Sequence, residues 1–239
     1  MADAFTGFIY EIFILIAVAL LLILIYGKYR EKKHQLTLFL FIIFLFYEIA
    51  IFFSWIAKYL IFYENAEDMV AADANYWIVS RIIGFRLSFV FVTFATYMVF
   101  MFAITLFNQE PKPIFKYGLM GFGIIIVVYC LAVLDAANVM LDVIAFLLVF
   151  IYMLIIYGGF MVNTLKLAKG ISDAVYKKAF LSLTWMAAFF ISTFVWFLLD
   201  RVMILMGSLG YTPFYFLAWL SVLFGIIFAY LGYIRPKSK

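Results

Sequence analysis

The chain has very few of the two side chains that most often bind transition metals. It contains one cysteine, Cys130, and one histidine, His34, among 239 residues. A disulfide within the chain and a bis-histidine haem site are therefore excluded. A transition-metal site is not expected either, because such sites use several imidazole and thiolate ligands. We accordingly predict no bound metal and no cofactor.

The sequence also lacks the short motifs of common catalytic sites. It contains no HExxH, CxxC, GxSxG or Walker-type phosphate loop. Nothing in it places a nucleophile beside a general base, as covalent catalysis requires. We therefore predict no catalytic residues and a function other than that of an enzyme.

Charged residues are scarce, and apolar residues are abundant. The chain is 69% apolar and 13% charged, whereas a soluble domain is about half apolar and about a quarter charged. Because about 20 apolar residues cross a bilayer, the sequence predicts an all-α membrane bundle forming one domain over residues 1–239. The seven predicted transmembrane helices cover residues 5–27, 36–62, 77–107, 116–136, 139–165, 178–205 and 213–234.

Basic residues concentrate in alternate loops. Most of the 17 Lys and Arg residues lie in 28–34, 108–116, 166–178 and 235–239, whereas 64–73 is acidic. Cytoplasmic loops carry such a basic excess, so the pattern predicts an outside N-terminus, a cytoplasmic C-terminus and a location in the plasma membrane. No basic residue precedes the first apolar run, and we expect no cleavable signal peptide. The net charge of +4 belongs to these flanks and does not indicate nucleic-acid binding.

One carboxylate, Glu48, falls in the middle of a predicted helix. At 1.5 Å per residue, it lies roughly 18 Å beyond Leu36, in a hydrocarbon core about 30 Å thick. A charge at that depth costs at least about 2.5 kcal/mol. Glu48 is therefore expected to be protonated, paired or facing a cavity. Two roles remain open: a neutral side chain with one interhelical hydrogen bond, or a buried switch or proton site.

The other charges of the helices gather toward the predicted outer side. The third predicted helix is about 46 Å long at the usual helical rise, which places Arg86 at the outer interface and Arg81 above it. Tyr97 and Trp196 continue polar and aromatic stripes into the outer half of the bundle. The charges at this level are Glu11, Lys58, Arg81, Arg86, Asp135, Asp142, Asp200 and Arg201.

Two interpretations of this charged level remain open. In the first, the side chains reach water and form salt bridges that cap the bundle. In the second, they line an outward-opening pocket with apolar walls and a few polar anchors, as ligand sites do. Tyr215 and Trp219 are expected in the aromatic belt at the outer interface. The predicted ligand-binding residues are Lys58, Arg81, Arg86, Tyr97, Trp196, Asp200 and Arg201.

The topology resembles that of microbial rhodopsins and G-protein-coupled receptors. A retinal pigment needs a lysine in its last helix, and residues 213–234 contain none. The segment LGYIRPK at 231–237 resembles the way in which the seven-helix sensor region of prokaryotic histidine kinases leaves the membrane. That resemblance implies a sensor. No kinase or cyclase domain follows here, so it also implies either a separate signalling partner or a longer chain.

These observations lead to three functional hypotheses. The first is a receptor or sensor that binds a small ligand from outside and signals through its cytoplasmic loops to a cytoplasmic or membrane partner. The second is a small-solute or proton-coupled transporter that uses Glu48, although no proline interrupts a predicted helix as in many such carriers. The third is a membrane subunit or scaffold of a larger complex. All three are surrounded by membrane lipids.

Overall fold

The computed structural model describes residues 2–64, 75–133, 139–208 and 212–234, nearly all of them helical. A π-helical turn, Tyr230–Ile234, follows the last α-helix. The α-helices are α1 (Ala2–Lys32), α2 (Gln35–Glu64), α3 (Tyr76–Ile83), α4 (Arg86–Phe107), α5 (Pro113–Ala132), α6 (Val139–Gly170), α7 (Ala174–Leu205) and α8 (Pro213–Ala229).

Seven of these helices, all except α3, have the length and apolar composition of membrane spans. This confirms the all-α class and the number of long apolar helices. Large apolar side chains face outward, among them Phe13 at 64%, Ile23 at 66% and Ile125 at 61% exposure. Such a surface suits lipid rather than water, so the chain is a multi-pass membrane protein. The orientation of its termini stays a prediction.

The prediction of one continuous third helix over 77–107 is wrong. The helix stops at Gly84, whose N–H donates to the Ser80 carbonyl at 3.0 Å. Phe85 then takes a left-handed conformation, with φ of 58°, and α4 begins at Arg86. Glycine has a low helix propensity, and the Phe85 ring has partners of its own, described below. The depths expected for Arg81 and Arg86 along a single helix therefore do not apply.

Several helices continue past their apolar runs at the lysine-bearing ends. Helix α1 extends to Lys32 and α6 to Gly170, because Lys, Arg and Glu favour helix about as well as Leu does. Helix α7 begins at Ala174 rather than at residue 178. There the Asp173 side chain accepts a hydrogen bond from the Val175 N–H at 2.7 Å, which caps the helix.

Six of the long helices form a closed ring. Each helix contacts the next in the order α1, α2, α4, α6, α7, α8, and α8 contacts α1. Helix α5 lies outside this ring, packed against α4 and α6. The apolar core fills the ring, and Ile14, Ile25 and Val149 in it are fully buried. Any cavity on the axis of the bundle is therefore enclosed by these six helices.

Candidate functional site

A cavity lies inside the ring of helices, beneath the end that carries the charged side chains. About 70 Å³ of it is open to the centre of a water-sized sphere. A single water needs roughly 10 to 15 Å³ by this measure, so the cavity holds about five waters or one small molecule. Its lining comes from α2, α4, α6, α7 and α8 and comprises Tyr47, Ala50, Ile51, Ser54, Phe85, Ser88, Phe89, Val92, Phe146, Phe190, Thr193, Phe194, Phe197, Arg201, Trp219 and Val222.

The walls are mainly aromatic, and the hydroxyl groups among them already donate hydrogen bonds within the protein. Ser88 Oγ donates to the Ala50 carbonyl at 2.8 Å, and Thr193 Oγ1 donates to the Phe189 carbonyl at 3.0 Å. Apolar walls with a few polar anchors are typical of small-molecule sites.

Two lining donors have no hydrogen-bond acceptor among the described residues. They are Nε of Arg201 and Nε1 of Trp219, and both atoms are buried. The Arg201 guanidinium carbon lies 5.1 Å from the centre of the Phe85 ring and 5.0 Å from that of Phe146. Cation–π contacts of this kind stabilise a positive charge only partly. The cavity thus offers donors and a positive charge to whatever occupies it.

At the deep end of the cavity, two tyrosines join α2 to α6. The hydroxyl oxygens of Tyr47 and Tyr157 are 2.7 Å apart. The Tyr47 ring stacks on Phe190 of α7, with centroids 5.1 Å apart. Tyr47 therefore connects the cavity directly to α6 and α7.

A buried polar network joins α1, α2 and α8 at the charged end. Oε1 of Glu11 lies 2.8 Å from Nζ of Lys58. The same oxygen accepts hydrogen bonds from Ser54 Oγ at 2.9 Å and from Tyr215 OH at 2.7 Å. Glu11 and Lys58 are both completely buried. Nζ of Lys58 also lies 4.9 Å from the centre of the Phe85 ring, which links this network to the break between α3 and α4.

Arg86 forms a second ion pair. Its Nη2 lies 2.7 Å from Oδ1 of Asp142, which joins α4 to α6. The guanidinium carbon also lies 5.4 Å from the centre of the Tyr129 ring in α5. Arg86 is completely buried and does not line the cavity. Its charge is thus directed to an internal carboxylate.

Arg81 and Asp200 bind backbone and loop groups of the protein. Nε of Arg81 donates to the Leu131 carbonyl, and its Nη1 to the Trp77 carbonyl, both at 2.8 Å. Oδ1 of Asp200 accepts from the Thr212 N–H at 3.0 Å and from its hydroxyl at 2.7 Å. These contacts fix α3 against α5 and the start of α8 against α7.

The remaining predicted residues lie outside the cavity lining. Trp196 stacks on Phe214, with ring centres 5.9 Å apart, and Tyr97 lies beside Phe100. Glu48 is half-buried, and its Oε2 has no hydrogen-bond partner among the described residues. Asp135 and the acidic stretch 65–73 lie outside the described residues. Of the predicted ligand-binding set, the structure places only Arg201 on the cavity.

Three residues of the site were assigned differently or missed by sequence reasoning. Tyr215 and Trp219 were expected in the aromatic belt, but they are 2% and 5% exposed inside the bundle. Their spacing of four residues puts them on one helical face, and this was the available signal. Phe85 offered no signal, because nothing about a phenylalanine between Gly84 and Arg86 marks a left-handed backbone.

No protein-family model, no curated protein and no solved structure matches this chain. Its function is therefore argued from the cavity and the contacts around it.

Proposed function

We propose that this membrane protein is a sensor or receptor that binds a small ligand in its central cavity. The ligand enters from the predicted outer side, and a rearrangement of the helices passes to the predicted cytoplasmic end. The observation that carries the proposal is the aromatic cavity with two buried donors, Arg201 Nε and Trp219 Nε1, that have no acceptor among the described residues. Unpartnered buried donors are costly, and a ligand acceptor group relieves that cost.

Contacts between helices at the cavity and at the opposite end of the bundle support transmission from one to the other. Tyr47 lines the cavity and meets Tyr157 of α6. At the other end of the bundle, the Tyr233 hydroxyl lies 2.8 Å from Thr37 Oγ1. The Tyr233 carbonyl accepts from Lys28 Nζ at 3.0 Å. The π-helical turn that carries Tyr233 thus contacts α1 and α2, and π-helical segments are frequent at functional sites.

Filling the cavity tests this function. Val92 lines the cavity, whereas Val128 of α5 is 57% exposed on the outside, so the same change to phenylalanine can be made at both positions. The probes are radiolabelled butyramide and butyrate, measured by equilibrium binding to the protein in lipid nanodiscs. We expect saturable binding of at least one probe. Val92→Phe should weaken it by about tenfold, because the ring takes up cavity volume that the probe needs, and overfilling an interior costs about 1–3 kcal/mol.

Val128→Phe is the matched control and should bind as the unaltered protein does. Absence of saturable binding for both probes would contradict the proposal. So would equal weakening by the two substitutions, because the outer position has no access to the cavity.

The transporter alternative retains one specific observation in its favour. The Glu48 carboxylate has a buried oxygen without a hydrogen-bond partner among the described residues, and an ionisable group inside a membrane is a candidate proton-coupling site. Proteoliposomes with either probe outside separate the two functions. A sensor shows binding without flux, whereas flux that is lost in Glu48→Gln would establish a carrier. If the same substitution leaves binding and its pH dependence unchanged, Glu48 is not a switch for this cavity.

A further inference from the structure

We propose that the ligand of the central cavity is a small organic anion, with a short monocarboxylate as its simplest form. Its charged group binds the Arg201 guanidinium and the Trp219 indole N–H, and its apolar part packs against the phenylalanine walls. This inference rests on the proposed function, and it names the chemical class that the same cavity accepts.

The charge on Arg201 favours an anionic ligand. The ion pairs among the described residues are Glu11 with Lys58 and Arg86 with Asp142. Asp200, next to Arg201 in sequence, accepts two hydrogen bonds from Thr212. Arg201 therefore has aromatic rings as its close partners, and no carboxylate of the described residues lies within salt-bridge distance of it. Asp142 interacts with it at longer range, but that carboxylate is already paired with Arg86. A partly desolvated guanidinium without a carboxylate in direct contact binds an anion strongly, because its own desolvation has already taken place.

The polar atoms of the lining that have no partner among the described residues are all hydrogen-bond donors. Arginine and the tryptophan indole are donors only, and both unpartnered lining atoms belong to these two side chains. No Asp or Glu side chain lines the cavity within the described part of the chain. A ligand that offers acceptors suits this lining, whereas an ammonium group does not.

The size and shape of the cavity suit a short monocarboxylate. The cavity holds about five waters, and butyrate has about this size. Phe89, Phe194 and Phe197 supply apolar walls for its alkyl part. The planar guanidinium binds a carboxylate through two parallel hydrogen bonds, a geometry that a single amide oxygen cannot reproduce.

The decisive comparison uses two ligands of the same shape and different charge. Butyrate and butyramide are titrated at neutral pH onto the unaltered protein in nanodiscs of uncharged lipid, with butylammonium as the cation of similar length. We expect butyrate to bind about tenfold more tightly than butyramide, because charge-assisted hydrogen bonds are about twice as strong as neutral ones. Butylammonium should not bind in the cavity. Equal binding of butyrate and butyramide, or butylammonium binding that Val92→Phe weakens, would overturn the anion inference.

Substitution of Arg201 provides the second measurement. Arg201→Met should reduce the preference for butyrate over butyramide to about onefold, since the charge that discriminates them is gone. Arg30→Met, at an exposed position at the opposite end of α1, should leave the preference unchanged. If Arg201→Met does not fold, Arg201→Lys keeps the charge without the planar fork, and the preference should fall but persist. A full preference in Arg201→Met would overturn the assignment.

The outcomes separate this inference from the proposed function. Binding of butyramide as tight as that of butyrate, lost in Val92→Phe, would leave the cavity as a ligand site and remove the anion preference. Absence of binding for both ligands would contradict the proposed function itself.

Discussion

The buried pair of Glu11 and Lys58 shows how a charge is held within an apolar bundle. A single carboxylate oxygen of Glu11 meets Lys58, Ser54 and Tyr215, while the other oxygen has no partner among the described residues. Burying two ions costs several kcal/mol each, and their attraction recovers this cost only when hydrogen bonds complete the pair. Removing one partner leaves the other charge uncompensated.

We predict that Lys58→Met and Glu11→Gln each lower the free energy of unfolding by about 3–5 kcal/mol. The double substitution should cost clearly less than the sum of the two, because it leaves no lone charge. Reversible unfolding in detergent micelles measures the cycle. Lys177→Met, at an exposed position of α7, should have little effect. Additive costs in the double variant would show that the pair is not coupled.

Sequence reasoning located the charged residues at one level but could not assign their partners. Arg81, Arg86 and Arg201 looked equivalent, since all three fall toward the predicted outer ends of their predicted helices. Only packing decides that Arg86 meets Asp142 and Arg81 meets the Leu131 carbonyl, while Arg201 lines the cavity. Successive side chains of a helix point about 100° apart around its axis. The partner of each arginine therefore depends on how its helix is oriented in the bundle.

At the scale of the helices, the break at Gly84 and Phe85 divides what the sequence presents as one span. A left-handed backbone costs a non-glycine residue about 1–2 kcal/mol. The Phe85 ring offsets this cost through its contacts with Lys58 and Arg201. The strained backbone of Phe85 therefore lies next to the charged end of the cavity.

The left-handed geometry of Phe85 predicts that glycine is more stable than alanine at this position, which is the reverse of their usual order in a helix. Phe85→Gly and Phe85→Ala both remove the ring, but glycine accepts a positive φ without strain. The glycine variant should therefore be the more stable by about 1 kcal/mol. At Phe91, within the regular part of α4, the order should be the usual one, with alanine more stable by about 1 kcal/mol. Thermal unfolding of the four variants tests this, and alanine being the more stable at both positions would contradict it.

The long helices could be predicted from the sequence because the length of an apolar run and its charged flanks correspond to the thickness of the bilayer. The number of long apolar helices follows from such runs, and the structure confirms it. The break was not readable, because glycines occur inside unbroken helices of this chain as well, for example Gly123 and Gly225. The contacts of the neighbouring Phe85 ring, which come from α2 and α7, distinguish Gly84, where a predicted span is interrupted.

At the scale of the whole molecule, the predicted orientation has a direct test. Cys130, the single cysteine of the chain, is buried, and Cys130→Ala removes it as a competing thiol. Single cysteines are then introduced at Glu64 and Lys177, which are exposed at opposite ends of the bundle. On intact cells, a membrane-impermeant maleimide should label the cysteine at position 64. The one at position 177 should react only after permeabilisation, because the basic flank remains in the cytoplasm. The reverse pattern would invert the topology.

The cavity is a property of the closed ring and lies beyond what periodicity indicates. The sequence predicted polar and aromatic stripes through Tyr97 and Trp196 on the third and sixth spans. Both residues lie off the cavity, whereas α8 supplies Trp219 to it. Apolar residues occupy almost every face of these helices, so an amphipathic pattern is too weak to orient them. The ring and the place of α5 outside it emerge only from the contacts between helices.

The bond between Glu11 and Tyr215 has a consequence for the biosynthesis of the protein. The two residues are 204 positions apart. At about 5–20 residues per second, roughly 10 to 40 s separate their emergence from the ribosome. Ser54 and Lys58 arrive much earlier, on the second helix. The α2 partners of the Glu11 carboxylate are therefore made well before α8, which adds the Tyr215 hydroxyl to the same site.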